Sequence, residues 1–278
     1  MFLSEINIYP IKSLHGISLN EAKIERRGLE FDRRWMLVDK NNKFMTQREF
    51  PKMATLVPEI KRDGLTVSNK GNRILIPFEF RFEKTEGVRI WRNVCRAEIY
   101  GDSINQFFCD VLKTNCRLVF MPDRSIRKVN HHYKIDPNDR VSFADGYPFM
   151  LLGEKSLANL NEKLQKPLPM NRFRPNFVVS GSEAFAEDGW KKLRIGGAVF
   201  HVVKPCARCV ITTVDQEIGI KTGAEPLKTI SEFRLSKIGN KKKALFGQNL
   251  IAEKEGEVLR VGDEIEILET KNAPAFIR

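Results

Sequence analysis

Short apolar stretches separated by turn residues recur along most of the chain. The stretches are rich in Val, Ile, Leu and Phe, and Gly, Pro, Asn and Asp lie between them. This pattern is typical of β-strands joined by tight turns. It predicts eight strands, which are Leu3–Tyr9, Arg34–Asp39, Val88–Trp91, Ala97–Tyr100, Phe177–Ser180, Ala198–Val203, Cys209–Val214 and Glu264–Leu268.

Three segments have helical periodicity instead. In 103–113 the apolar residues recur at spacings of three and four, which places them on one face of a helix. A leucine stripe predicts a second helix over 154–165. Pro226 suits the first helical position and indicates a third helix around 226–234.

The resulting fold class is mainly β with some helices, an α+β arrangement of two β domains or barrels with a few covering helices. A polar, basic segment, Pro122–Asn138, carries two histidines and two prolines and interrupts the strand pattern. We therefore predict a first domain over residues 1–120 and a second over residues 121–278.

Composition narrows the function classes. No apolar run approaches the roughly 20 residues of a membrane span, and the first ten residues lack the basic and apolar regions of a secretory signal. Five cysteines are too few for a disulfide framework, so we expect a reducing, cytoplasmic location. The formal charge of +12 is spread evenly, and no basic stripe carries interleaved aromatics. This favours an anionic ligand or an acidic redox partner over nucleic acid.

The segment with the strongest candidates for functional residues runs from Phe200 to Asp215. In it, two β-branched segments flank a break at Lys204-Pro205. Cys206 follows the break with cations nearby in sequence, which favours thiolate over thiol and makes it a candidate soft metal ligand or nucleophile. Cys209 completes a CxxC spacing, but strand-like sequence follows, which disfavours a redox disulfide. In a continuous strand Cys209 would face away from Cys206.

Cations recur beside short turns, at Lys12, Arg33, Arg34, Arg48, Arg172 and Arg174. Arginine offers fork-shaped donors for a phosphate or a heterocycle edge, although surface charge is the more common role of any one such residue. The turn and pre-proline contexts of Lys12 and Arg174 favour a ligand role for these two.

Nine motifs in order carry a resemblance that extends over almost the entire chain. They are Tyr9-Pro10-Ile11-Lys12-Ser13, Phe31-Asp32-Arg33, Phe44-Met45-Thr46-Gln47-Arg48, Ser142–Phe149, Asn171–Gly181, Lys204–Val214, Glu225-Pro226-Leu227, Phe246–Asn249 and Val261-Gly262-Asp263. With these motifs the chain resembles the MOSC family (molybdenum cofactor sulfurase C-terminal domain), preceded by the family's N-terminal β-barrel domain. The nearest subgroup contains the bacterial YcbX-like proteins and the mitochondrial amidoxime-reducing component.

The resemblance implies a mononuclear molybdenum enzyme that reduces N-hydroxylated compounds such as amidoximes, hydroxylamines and N-hydroxylated purines. The family position of Cys206 is the catalytic cysteine and the protein ligand to molybdenum in a Mo-molybdopterin cofactor. Pyridoxal phosphate binding is a further possibility at family level. The positions expected around the cofactor are Lys12, Ser13, Arg33, Asp145, Arg174 and Asn176.

The chain departs from its subgroup in one respect. YcbX-like proteins commonly end in a ferredoxin domain, but no four-cysteine cluster pattern follows Cys209, and the membrane anchor of the mitochondrial form is also missing. We therefore expect electrons from a separate ferredoxin- or cytochrome-like protein with its reductase, and no membrane or nucleic-acid partner. Two alternatives stay open: a sulfur carrier that uses a Cys206 persulfide, and a non-catalytic cofactor-binding or delivery protein.

Overall fold

The structure is a computed structural model that describes residues 1–82 and 84–277. Within these residues strands dominate, and the helices are α1 (Asp102–Leu112), α2 (Glu154–Asn161) and α3 (Leu227–Phe233). The prediction of a mainly β fold with some helices is confirmed. Seven of the eight predicted strands and all three predicted helices are present, with ends shifted by a few residues. No helix in this described part is long and apolar enough to cross a membrane.

One large sheet organises the molecule. Its strand order is β19-β14-β15-β17-β12-β13-β1-β2, and β16 pairs with β17 beside this path. The bounds are β1 Phe2–Ile8, β2 Ile17–Leu19, β12 Phe149–Gly153, β13 Phe177–Ser180, β14 Trp190–Ile195, β15 Ala198–Ala207, β16 Leu235–Ile238, β17 Lys241–Ala252 and β19 Ile265–Thr270.

Three smaller sheets complete the β structure of the described residues. A four-stranded sheet has the order β5-β11-β10-β9, and two three-stranded sheets have the orders β18-β3-β4 and β6-β7-β8. The bounds are β3 Glu21–Glu25, β4 Gly28–Leu29, β5 Trp35–Val38, β6 Val57–Ile60, β7 Gly64–Asn69, β8 Asn72–Pro77, β9 Thr85–Ile90, β10 Asn93–Ile99, β11 Arg117–Phe120 and β18 Val258–Arg260.

Strand β1 joins distant parts of the sequence, because it lies between β2 and β13 in the large sheet. Its register with β13 pairs Ile6 with Phe177. The division of the chain at residues 120 and 121 stays a prediction. The register also aligns a polar row across neighbouring strands, which runs through Asn7, Asn176, Met150, Asn249 and Lys204.

Two main cores hold the sheets together. Beneath the large sheet, the rings of Phe149, Phe177 and Phe200 pack with centroids 5.3–5.5 Å apart. A second core surrounds Trp35 and the buried face of α1, including Phe108. Full burial of one such side chain stabilises the fold by about 1.5–3 kcal/mol. The two cores leave the polar row of the large sheet facing the loops that follow β1 and precede β5.

The predicted strand Cys209–Val214 is wrong. Residues Val210–Thr213 form a 3₁₀ turn. The Thr212 hydroxyl donates to the Cys209 carbonyl at 3.0 Å and the Thr213 hydroxyl to the Val210 carbonyl at 2.8 Å. Such local threonine bonds give the backbone an alternative to a strand ladder, which the β-branched composition of the segment concealed.

Candidate active site

A cavity of about 160 Å³ lies over the polar row of the large sheet. Its walls come from the loops around residues 12, 33, 145 and 174 and from the end of β15. All seven site residues expected from the sequence line it, which are Lys12, Ser13, Arg33, Asp145, Arg174, Asn176 and Cys206. The structure thus brings the expected set together, whereas their roles toward a ligand stay a prediction.

An irregular pairing places Cys206 at the cavity. Pro205 pairs with Gln248 and Ala207 with Leu245, so Phe246 and Gly247 on β17 oppose Cys206 alone. Such a bulge re-aims side chains and is common beside active sites. Gly247 has a φ of +79°, and a Cβ there would lie 2.7 Å from the Leu151 carbonyl oxygen. The bulge therefore depends on glycine at this position.

The protonation of Cys206 differs from the sequence expectation. Burial raises the pKa of the Cys206 thiol above its ordinary value, and Arg208 only partly opposes the shift. Arg208 is held in place, since its Nε donates to the Phe246 carbonyl at 2.7 Å and its Nη1 to the Phe173 carbonyl at 2.9 Å. The expectation that neighbouring cations make Cys206 a thiolate is therefore wrong for the ligand-free protein, in which desolvation outweighs them.

Asp145 anchors two cations at the cavity rim. Its Oδ1 lies 2.5 Å from Lys12 Nζ and its Oδ2 lies 3.2 Å from Arg48 Nη2. Lys12 exposes only 7% of its side chain, and burial lowers its pKa to about 8 although Asp145 opposes the shift. Desolvation would raise the pKa of Asp145, but Lys12 and Arg48 hold it well below its ordinary value. Asp145 is therefore ionised at neutral pH.

A second polar assembly surrounds Tyr9. Its ring lies between two guanidinium groups, with Arg33 at 4.2 Å and Arg174 at 4.1 Å from the ring centroid. Arg33 Nη1 donates to the buried Asp32 carboxylate at 2.6 Å and to Asn176 Oδ1 at 3.2 Å. Because Asn176 Oδ1 also accepts from the Met150 N–H at 3.2 Å, Asn176 fits a positioning role better than direct ligand contact.

Backbone conformation distinguishes three of the expected residues. Ser13, Arg33 and Arg174 have φ values of 68°, 51° and 55°, in the left-handed region. Such conformations cost non-glycine residues roughly 1–3 kcal/mol each and cluster at functional sites. No pattern in the sequence marks these three positions as left-handed, because none of them is Gly, Asn or Asp.

The cavity carries a surplus of positive charge. Five cationic side chains and one acidic side chain line it. Burial lowers the pKa of Arg174 to about 10, and no carboxylate among the described residues forms an ion pair with it. Arg172 Nε and Arg48 Nη1 are buried without a hydrogen-bond partner in the described part of the chain. Unmatched buried donors of this kind fit an anionic ligand.

The donor set also fits a soft metal brought in by such a ligand. Cys206 offers a sulfur ligand, and thiolates suit soft metals. Among residues 1–82 and 84–277, no group of three or more His, Cys, Asp or Glu side chains could hold a metal ion by itself. Further ligands would therefore have to come from the incoming group, as a pterin dithiolene provides.

Of the further contributors, Arg48 and Arg172 were noted in the sequence only as cations beside turns, and Arg208 and Cys209 were not expected at the site. The arginines lie in ordinary turn contexts, and nothing in the sequence shows that they converge on one cavity. Cys209 was expected to face away from Cys206, but both thiols line the cavity, because the 3₁₀ turn after Cys209 ends the strand geometry on which that expectation depended. Its Sγ accepts from Arg48 Nη2 at 3.2 Å.

Comparison with known proteins gives matches over both halves of the chain. Residues 1–115 match the MOSC N-terminal beta barrel domain and residues 138–266 match the MOSC domain. The chain is 34% identical to mitochondrial amidoxime reducing component 2 of Bos taurus, over 95% of this chain and 82% of that protein. It is 30% identical to mitochondrial amidoxime-reducing component 1 of Homo sapiens, over 96% and 82%.

Among solved structures, YiiM from Geobacillus stearothermophilus aligns with 44% of this chain and 55% of that chain, at 15% identity and a TM-score of 0.32. A likeness at that level supports no argument about fold or function. The two domain matches and the relatives that align over 95% or more of this chain support a family assignment. The chain belongs to the MOSC domain family, in the group that includes the mitochondrial amidoxime-reducing components.

Proposed function

We propose that the protein is a molybdenum-cofactor-dependent oxidoreductase that reduces N-hydroxylated compounds such as amidoximes, hydroxylamines and N-hydroxylated purines. The observation that carries the proposal is the convergence of Cys206 and the six expected cofactor residues on one cationic cavity. The relatives named as amidoxime-reducing components, which match over 95% or more of this chain, support the substrate class.

In this proposal Cys206 Sγ is the protein's ligand to the metal. Binding requires loss of the thiol proton, and Arg208 stabilises the resulting thiolate because its charge lowers the pKa of Cys206. When bound, the molybdenum cofactor supplies the two-electron chemistry and the acceptor for the oxygen of the N–OH group. The protein supplies binding, orientation and exclusion of water.

Several cationic side chains would share the binding of the cofactor's negative charge. Arg174 and Lys12 present charges that the protein does not fully neutralise, and Arg33 is fixed by Asp32 and Asn176. Ser13 adds a hydroxyl on the same wall. Phe149, Met150 and Phe173 line the apolar side and limit the water around the reacting groups. Together these groups would orient a phosphate-bearing pterin with its sulfur side toward Cys206.

We place the source of electrons in a separate ferredoxin- or cytochrome-like protein. The formal charge of +12 would attract an acidic carrier and raise its encounter rate at low ionic strength. Turnover limited by such a carrier should fall as the salt concentration increases. The reason is that the Debye length, over which charges attract each other, shortens from roughly 30 Å at 0.01 M to about 3 Å at 1 M.

The test uses protein from a molybdenum-replete host. We expect stoichiometric molybdenum and pterin, and reduction of benzamidoxime with an artificial reductant. Cys206→Ser should lose the metal and reduce activity by more than about 100-fold, since even supporting residues of metal sites contribute 10- to 100-fold. A cyanide-labile sulfur on Cys206 without molybdenum would instead support sulfur transfer. Full metal occupancy with no turnover of any N-hydroxylated compound would support a delivery protein.

A further inference from the structure

The turn between β9 and β10 contains an aromatic residue in an unfavourable conformation. Ile90 pairs with Asn93, so Trp91 and Arg92 form a two-residue turn, and Trp91 is not the end of a strand as expected from the sequence. Trp91 has a φ of 53° and is 46% exposed. Gly, Asn or Asp normally occupies such a turn position, and a bulky residue with positive φ is an outlier. Neither backbone geometry nor burial explains a tryptophan here.

The contacts of the indole lead to the active-site cavity. Trp91 Nε1 donates to Asp145 Oδ1 at 3.4 Å, and Asp145 lines that cavity. The guanidinium of Arg48 lies 4.7 Å from the Trp91 ring centroid, and Arg48 Nη2 also reaches Cys209 Sγ at 3.2 Å. One edge of the indole is thus within hydrogen-bond distance of the rim of the Cys206 cavity.

Beside this rim lies a separate hollow of about 170 Å³, whose lining includes Phe44, Thr46, Arg48 and Trp91. The rings of Phe44 and Trp91 have centroids 4.9 Å apart and form an aromatic corner. A cavity of about 150 Å³ can hold a benzene ring. Arg48 also lines this hollow, and its guanidinium covers part of the Trp91 ring at 4.7 Å from the centroid.

We infer that this hollow is the specificity site for the aryl part of the substrate, an inference that rests on the proposed reduction of N-hydroxylated compounds. The aryl ring packs against the exposed part of the Trp91 indole, beside the ring of Phe44. The N–OH end then extends past Asp145 toward Cys206. The site favours planar aromatic amidoximes and N-hydroxylated heterocycles over small aliphatic ones.

The test compares benzamidoxime with acetamidoxime at equal molybdenum content. In Trp91→Ala we expect the KM for benzamidoxime to rise about 3- to 10-fold with kcat unchanged, the range expected for one lost aromatic pair. The KM for acetamidoxime should change less than about twofold, because no ring occupies the hollow. Trp91→Phe should restore most of the benzamidoxime KM. Val94→Ala is the matched control, since Val94 is exposed on the same hairpin.

A second readout needs neither metal nor turnover. Trp91 is exposed, whereas the other two tryptophans, Trp35 and Trp190, are buried. Benzamidine, the product of benzamidoxime reduction, should therefore quench indole fluorescence in the wild type but not in Trp91→Phe, and acetamidine should quench neither. Trp91→Asn, which suits the turn, should keep or raise the melting temperature while losing the quenching, which separates ligand binding from folding.

Two outcomes would overturn the inference and leave the proposed function standing. One is an equal change of both KM values in Trp91→Ala, and the other is quenching by benzamidine that persists in Trp91→Phe. Failure of the molybdenum-loaded wild type to reduce either substrate would instead overturn the proposed function, and the quenching experiment would still decide whether the hollow binds an aryl group.

Discussion

Two clusters of buried arginines lie in the same molecule with opposite hydrogen-bond states. Around Arg34 the charge is satisfied: its guanidinium contacts Glu25 at 3.2 Å and Asp123 at 2.7 Å, and it donates to the Met121 carbonyl at 2.8 Å. Around the cavity, Arg174 donates to the neutral Gln216 side chain at 3.1 Å, and no carboxylate of the described chain pairs with it. Arg172 and Arg48 each keep one buried donor without a partner in the described chain, although Arg172 also pairs with Asp215 and Arg48 with Asp145.

In the proposed function, this difference separates the buried cations that maintain the fold from those that would bind the ligand. Arginine stays charged at neutral pH, so a buried guanidinium must find partners in the chain or outside it. Arg34 finds them in the chain, and its removal should affect stability. Arg174 does not, and its removal should affect binding. Four predictions test this comparison.

The largest effect is expected at the satisfied cluster. Arg34→Ala removes the charged hydrogen bonds to Glu25, Asp123 and the Met121 carbonyl, and should lower the free energy of unfolding by about 2–3 kcal/mol, because Asp123 is exposed and water can solvate it. Chemical denaturation measures this. Arg26→Ala is the control, because its pair with Glu255 is half-exposed and should contribute less than about 1 kcal/mol. Similar losses in both variants would mean that Arg34 has no special structural role.

At the cavity the expected effect is on occupancy. Arg174→Met removes a buried cation that no carboxylate of the described residues balances, so the melting temperature of the cofactor-free protein should stay the same or rise. Cofactor affinity should fall about 10- to 100-fold, as expected for one lost charged hydrogen bond. Molybdenum and pterin content per folded protein, with unfolding curves of the metal-free form, measure both. A marked loss of apo stability with normal occupancy would reverse the assignment.

The third prediction uses the low pKa of Lys12, about 8. Lys12 is charged below that pH and neutral above it, while Asp145 and the arginines stay charged. Anion binding to the cofactor-free cavity should therefore weaken as pH rises from 7 to 9, by roughly fivefold for the loss of about 1 kcal/mol of attraction. Sulfate is a suitable probe in calorimetry because its charge is constant over this range. Lys12→Arg should abolish the dependence, and a dependence that persists in it would exclude Lys12 as its source.

The smallest effect is expected at the second thiol. Cys209→Ala removes the sulfur that accepts from Arg48 Nη2 at 3.2 Å, a weak contact in a residue that Asp145 also holds. Molybdenum content should be unchanged, and kcat/KM should fall less than about threefold, consistent with the loss of roughly 0.5 kcal/mol. Loss of the metal in this variant, with retention in Cys206→Ser, would exchange the two assignments.

The sequence predicted four of the nine strands of the large sheet, which are β1, β13, β15 and β19, and the family resemblance supplied the seven cavity residues. Where strand prediction succeeded, it did so because apolar residues alternate with polar ones on a strand that has one buried face. It failed at Cys209–Val214, where threonine hydroxyls close a turn, and therefore placed Cys209 on the wrong side. The thiolate expectation failed because sequence neighbours show charge but not desolvation. For the same reason the sequence could not distinguish the role of Arg34 from that of Arg174, because the hydrogen-bond partners of both are distant in sequence.

The pairing of β1 with β13 has a consequence for biosynthesis. Leu3 pairs with Val179, so the first strand made by the ribosome has no neighbour on that side until most of the chain has emerged. Lys12 and Arg33 follow this strand, and Cys206 lies later still. The cavity can therefore form only after at least the first 206 residues have been synthesised, and in the proposed function cofactor insertion would follow that point. Because pairings this distant in sequence form slowly, the cavity should be completed late in folding.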